Sequence, residues 1–189
     1  MPIMENDNQN GPFRFNHQAG EPGAEYSILI LCDTALNDQE LKLLENFRKL
    51  GREILLLVPG KENPVNSNMD FSPVLTAINM LPGKVMIIAM GGYAPFLIEN
   101  FKHLARVVKL VFVNPAYDET ISTKMAAFEV QVLVLTSTPG NLDHDPDAVK
   151  YHDLIAGSSI AYVRGIHGNP LYKRFTQSFN SIQRFMLND

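Results

Sequence analysis

Side chains that can carry out nucleophilic and acid–base chemistry follow three of the predicted strands. Cys32 closes an apolar run, Asp143 and Asp145 follow a second run, and His167 follows the last one. A thiol activated by an imidazole, with a carboxylate orienting the imidazole, is a known arrangement for covalent catalysis. Cys32, Asp143 and His167 therefore form one candidate site. The competing interpretation is that Cys32 is a buried and inert core residue.

Apolar runs alternate with amphipathic segments along the chain. Near-continuous apolar character is typical of strands buried on both faces, and we predict such strands at 27–32, 53–58, 85–89, 107–113, 130–135 and 160–163. Helical spacing predicts helices from about 37 to 50, 72 to 81, 95 to 105 and 118 to 128, from 146 onward, and from 170 to 187. Alternation over Phe13–His17 predicts a short edge strand. This order predicts an α/β fold, a compact three-layer α/β/α sandwich with a mostly parallel sheet.

Composition limits the class of protein. The 189 residues predict a single domain over 13–189, after a polar tail at 1–12 that we expect to be disordered. The net charge is -4, and no run of basic residues indicates nucleic acid or an anionic membrane as a partner. One cysteine excludes an intrachain disulfide, and neither a signal peptide nor a spanning apolar run is recognisable. We therefore expect a cytoplasmic protein.

The segment Val85–Tyr93 joins an apolar run directly to two glycines and a helical pattern. Strand, tight glycine-rich turn and helix is the context that presents a catalytic serine within a G-x-S-x-G nucleophile elbow. The chain resembles the α/β-hydrolase superfamily from about Ser27 to Met186, and is similar to its small lidless esterase or thioesterase-like members. The segments that carry the resemblance are Leu29–Asp33, Leu55–Gly60, Met90–Tyr93, Leu110–Pro115, Val132–Ser137 and Gly165–Asn169.

The resemblance implies a degenerate catalytic triad. The serine position falls on Ala89, the acid position on Gly140 and the histidine position on His167, so the histidine alone is retained. Asp143 and Asp145 replace the acid only if their loop shifts. Ala89 offers neither oxygen nor thiol, which excludes covalent chemistry at this position. We expect Ala89 at the strand-to-helix turn with unusual backbone angles, and His167 on the same edge of the sheet.

The resemblance also places a ligand-binding region at the ends of two strands. Its residues are Cys32, Asp33, Met90 and Gly91. The Met90 amide takes the place of the oxyanion-hole donor, while the Asp33 carboxylate would repel an oxyanion.

An acidic group with one histidine, Asp143, His144, Asp145 and Asp147, has ligand types found at metal sites. Acidic residues at a helix start explain the same group without a metal. We expect neither a metal nor a cofactor.

The leading interpretation is a non-catalytic α/β-hydrolase-fold protein, a pseudo-hydrolase, that binds a small ligand or a protein partner. The sequence leaves a homodimer open. The alternative is an esterase or thioesterase-like hydrolase, either with its serine replaced at Ala89, by nature or by engineering, or with an atypical nucleophile such as Cys32. A generic doubly wound α/β domain is a third interpretation, which the position of His167 disfavours.

Overall fold

The computed structural model describes residues 13–32, 39–59, 69–138 and 145–188. The strands are β1 (Phe13–Ala19), β2 (Tyr26–Leu31), β3 (Glu53–Pro59), β4 (Lys84–Met90), β5 (Val107–Val113), β6 (Gln131–Thr138) and β7 (Ser159–Arg164). The α-helices are α1 (Gln39–Phe47), α2 (Ser72–Met80), α3 (Tyr93–Glu99), α4 (Ser122–Met125), α5 (Pro146–Leu154), α6 (Pro170–Lys173) and α7 (Phe175–Leu187). The predicted tail at 1–12 lies outside the described residues.

The strands form a 7-stranded sheet in the order β1-β3-β2-β4-β5-β6-β7. Every neighbouring pair is parallel except β1 with β3, which is antiparallel. The predicted mostly parallel sheet is therefore confirmed, as are the strands predicted from apolar runs and the edge strand at the start of the domain.

Alternate side chains of the strands enter two separate cores, as the period of two requires. One core packs α2, α3, α4 and α5 against one face of the sheet. The other packs α1, α6 and α7 against the opposite face. The predicted three-layer sandwich is confirmed. In the described ranges, no helix combines the length and apolar character needed to cross a bilayer.

Three helices differ from the prediction. Helix α3 begins at Tyr93, directly after the glycines, and ends at Glu99. The helix predicted at 118–128 is a 3-10 turn followed by the single turn of α4. The helix predicted at 170–187 is broken at Arg174, whose φ of -137° and ψ of 52° are not helical. Apolar spacing continues across that break, which is why the sequence did not reveal it.

Two cations fasten helix ends at the amino edge of the sheet, where the parallel strands begin. Lys109 is 3% exposed, and its Nζ donates to the carbonyls of Phe185, Met186 and Asn188 at 3.0, 3.0 and 2.6 Å. Arg106 donates from its guanidinium to carbonyls at the end of α2 and in the following turn. Cations favour helix C-termini, because the last carbonyls there lack intrahelical partners.

Candidate functional site

The strand order reverses at the contact between β2 and β4. From β2 the chain continues outward to β3 on one side, whereas β4 and β5 extend the sheet on the other side. Open α/β sheets bind ligands at the carboxyl ends of the strands beside such a switch point. Cys32 directly follows β2, and Met90 ends β4. The predicted ligand-binding region therefore coincides with the switch point, although Asp33 lies outside the described residues.

The turn after β4 lies at Gly91, and the prediction that it lies at Ala89 is wrong. Ala89 is inside β4, paired with Leu31 and Phe112, and fully buried in the core. Gly91 has a φ of 53°, in the left-handed region that favours glycine. Its N–H donates to Val113 O at 3.0 Å. The apolar run extends farther than expected, because Met90 also pairs as a strand residue.

Because the turn lies at Gly91, the serine position of the elbow motif falls on Gly91 and not on Ala89, two residues earlier. A nucleophile elbow holds its serine at the strained strand-to-helix turn, and Gly91 occupies that place here. Gly91 has no side chain and Ala89 has only a methyl group, so neither alignment supplies a nucleophile. The amide after the turn residue is then that of Gly92 instead of Met90.

Met90 is covered by Asn169 and Tyr172, neither of which was a predicted site residue. Its Sδ accepts hydrogen bonds from Tyr172 Oη at 3.1 Å and from Asn169 Nδ2 at 3.2 Å. The Tyr172 hydroxyl is also 3.9 Å from Cys32 Sγ. Helix α6 and its capping residue Asn169 therefore lie over the ends of β2 and β4. Asn169 before Pro170 was recognisable as a helix cap, but nothing in the sequence indicated the contact with Met90.

The thiol of Cys32 is enclosed. The residue is fully buried, and its N–H donates to Leu57 O at 3.1 Å. Its neighbours belong to the core that includes α6 and α7. A reactive cysteine normally sits in a partly exposed, electropositive setting, whereas Cys32 is fully buried.

His167 lies at the carboxyl edge, as predicted. It is exposed in the loop between β7 and α6. Asn114, at the end of β5, holds this loop by donating from Nδ2 to Gly168 O at 3.1 Å. The Asn114 Oδ1 accepts from Ser137 N at 2.8 Å, and its φ of 44° is in the left-handed region. Asparagine tolerates that conformation, so Asn114 ties the His167 loop to β5 and β6.

Asp145 serves as a helix cap. Its Oδ1 accepts from Asp147 N at 3.1 Å at the start of α5, and its Oδ2 accepts from Thr136 Oγ1 at 2.6 Å. Both carboxylate oxygens are thus committed to local structure. Gly140 and Asp143, with His144, lie outside the described residues. Among the described residues, no three His, Cys, Asp or Glu side chains are grouped to hold a metal ion.

An open groove of about 540 Å³ lies between the segment after β5 and helix α5. Lys150 Nζ lies 4.2 Å from the Tyr117 ring centroid, so the aromatic face in the groove is already covered. The groove is lined by Tyr117, Glu119, Ser122, Lys150, Asp153 and Leu154. It contains none of the residues at the switch point.

No family model matches the sequence, and the search of curated proteins found no match. Solved structures do match. A monoacylglycerol lipase of Paleococcus ferrophilus superposes with a TM-score of 0.72 at 9% identity, over 93% of this chain and 98% of that one. A lipase-esterase related protein of Clostridium acetobutylicum ATCC 824 gives 0.67 at 9% identity, over 93% and 100%. An esterase of Rhodococcus sp. ECU1013 gives 0.64 at 11% identity, over 92% and 94%. The chain has the α/β-hydrolase fold.

Proposed function

We propose that this chain is a non-catalytic protein with the α/β-hydrolase fold that binds a small ligand at the carboxyl edge of its sheet. The observation that carries the proposal is Gly91 at the strand-to-helix turn with a φ of 53°. This is the backbone position from which the fold presents its nucleophile. Gly91 has no side chain and therefore supplies neither a hydroxyl nor a thiol at this position.

The remaining candidate residues support the absence of hydrolysis. The carboxylate of Asp145 caps α5 and accepts from Thr136, which leaves it occupied in local structure. The thiol of Cys32 is enclosed below Tyr172. His167 is exposed and has no nucleophile at the turn to activate. A general base without a nucleophile within reach gives no covalent catalysis.

Ligand binding is supported by the switch point and by the residues that cover it. Asn169 and Tyr172 place an amide and a hydroxyl over the ends of β2 and β4, and both contact a soft sulfur acceptor. A ligand with a stronger acceptor, such as a carbonyl or carboxylate oxygen, would compete for these donors. Short acyl acids are therefore suitable probes of the region.

Hydrolysis of p-nitrophenyl butyrate tests the catalytic part of the proposal. We expect the rate with the unaltered chain to equal the rate in buffer, since loss of a triad member in serine hydrolases lowers the rate by about 10⁴–10⁶-fold. A fluorophosphonate should not label the protein. Gly91→Ser and Ala89→Ser should both remain inactive. Turnover by the unaltered chain that is abolished in His167→Ala would show that the chain is an enzyme.

Amide chemical shifts measured during titration with butyrate test the binding part. We expect shifts at Gly91 and Gly92, and none at Gly83, which lies at the opposite edge of the sheet and serves as the internal control. Uniform small shifts, or shifts confined to Gly83, would contradict a site at the switch point.

The esterase alternative with Cys32 as nucleophile has its own test. The enclosed thiol predicts that iodoacetamide modifies the folded chain far more slowly than the urea-unfolded chain. Rapid modification of the folded chain, together with turnover that Cys32→Ser abolishes, would establish the alternative.

A further inference from the structure

Strand β7 forms one edge of the sheet, and its outward hydrogen-bonding groups can be assigned. Gly165 N donates to Thr138 O at 2.9 Å, directly after the pairing of Thr138 with Arg164. The N–H and C=O of one strand residue point to the same side, and successive residues alternate. Ser159, Ala161 and Val163 therefore bond inward to β6. Ile160, Tyr162 and Arg164 present their backbone groups outward.

Strand β7 contains neither the proline or lysine nor the bulge that often prevents edge-to-edge pairing. Natural edges are blunted by proline, lysine, bulges or a covering segment. The strand reads Ser-Ile-Ala-Tyr-Val-Arg, without proline or lysine, and pairs with β6 in an unbroken register. Within the described residues, no strand pairs with its outer side. Isoleucine, tyrosine and valine also favour the extended conformation.

Charges at the two ends of this edge complement each other. Arg164 is exposed at the end of β7, and Asp153 is exposed in the last turn of α5, shortly before β7 begins. Burial, and then the negative charges of Asp145 and Asp153, raise the pKa of Tyr162. Helix α5 packs in the core on one face of the sheet, and Ile160 of β7 packs against the same core. Asp153, at the end of α5, therefore lies on the side of the sheet that carries Ile160, Tyr162 and Arg164, because side chains alternate along a strand. Neither Arg164 nor Asp153 makes an ion pair within the described ranges.

We propose that β7 pairs antiparallel with β7 of a second copy of this chain, about a two-fold axis at Tyr162. This register places Tyr162 opposite its own copy and Ile160 opposite Arg164 of the other copy. All outward backbone groups of the strand then find partners, since hydrogen-bonded pairs require outward groups on both strands. Shifting the register by two residues leaves some of these groups unpaired. The sheet becomes continuous across both copies.

The antiparallel arrangement also pairs the charges. It brings Arg164 at the end of one β7 to the beginning of the other β7, on the face where Asp153 of that copy lies. Because the interface is two-fold symmetric, each such contact occurs twice. A single reversal of charge therefore changes both contacts.

Sedimentation velocity of the full chain at increasing concentration tests the proposal. We expect a dimer of the 21.1 kDa chain. Tyr162→Pro removes an outward N–H without removing a bond to β6, and edge strands tolerate proline at such positions. We expect it to raise the dissociation constant by about tenfold or more, with unchanged circular dichroism. A monomer at every concentration, or open assemblies larger than a dimer, would overturn the proposal.

Charge reversal provides a second test that does not alter the backbone. Arg164→Glu and Asp153→Arg should each weaken the dimer by about tenfold, and the double variant should regain most of the loss. Arg48→Glu, an exposed change of equal charge on the α1 side, is the matched control and should have no effect. If Arg164→Glu and Arg48→Glu behave alike, or if the double variant is no tighter than the single ones, this register is wrong.

Discussion

At the amino edge of the sheet, Lys109 and Arg106 each donate to three backbone carbonyls, whereas at the carboxyl edge Asn169 and Tyr172 donate to the sulfur of Met90. Hydrogen bonds from charged donors to carbonyls are strong, and sulfur is a weak acceptor. The difference indicates that Lys109 and Arg106 stabilise the fold strongly at the amino edge. At the carboxyl edge, the contacts of Asn169 and Tyr172 with Met90 are weaker, as the ligand binding proposed for this region requires.

The largest expected effect is at the amino edge. Lys109→Met keeps the apolar stem but leaves three carbonyls at the end of α7 without their donor. We expect a loss of about 3 kcal/mol in the free energy of unfolding, measured in urea. Lys102→Met, at an exposed position, is the control and should change stability little. A loss below about 1 kcal/mol at Lys109 would mean that the lysine does not fasten the helix.

At the carboxyl edge, the largest loss in the free energy of unfolding is expected from substitution of Asn114. Asn114→Ala loses the bonds to Ser137 and Gly168 and places an alanine at a φ of 44°. We expect a loss of about 2 kcal/mol. Asn114→Gly removes the same bonds without the backbone strain and should lose about half as much. Equal losses in the two variants would show that strain contributes nothing.

Alanine substitutions at the adjacent residues Gly91 and Gly92 test which of them forms the turn. Gly91 has a positive φ of 53°, whereas Gly92 has a φ of -67°. Gly91→Ala should therefore lower the free energy of unfolding by about 1 kcal/mol, while Gly92→Ala should be neutral within about 0.5 kcal/mol. Thermal or urea unfolding measures both. The reverse order would move the turn to Gly92 and invalidate the alignment of Gly91 with the elbow serine.

The smallest effect on stability is expected where ligand binding is proposed. Tyr172→Phe removes one hydroxyl that contacts Met90 and should lower stability by about 0.5 kcal/mol or less. Amide hydrogen exchange at Leu171 should nevertheless become faster, because α6 loses one of its contacts with the strand ends. A loss in the free energy of unfolding as large as that expected for Lys109→Met would show that the side-chain contacts at the two edges do not differ in strength.

The five central strands were predictable because they are buried on both faces. A run such as Val85–Ala89 identifies a strand whatever its neighbours are. The turn was harder to place. With Gly91 and Gly92 adjacent, the sequence does not say which of them takes the positive φ, and the likeness to the serine motif favoured Ala89.

The side chains around the candidate site were less predictable, because their partners are distant in the chain. Met90 and Tyr172 are 82 residues apart, and Asn114 and Gly168 are 54 apart. Local patterns identify caps such as Asn169 but not what a cap faces across the sheet. Lys109 is the clearest example, since a lysine within an apolar strand gives no indication of its carbonyl partners.

The bonds of Lys109 also have a kinetic meaning. They join residues 76, 77 and 79 positions apart, so they close long loops whose entropy must be lost first. Contacts of this kind form after the rate-limiting barrier to folding unless they belong to the nucleus. We therefore expect Lys109 to slow the detachment of α7 during unfolding far more than it accelerates the docking of α7 during folding. The lifetime of the native chain, more than the speed of its folding, then depends on this one side chain.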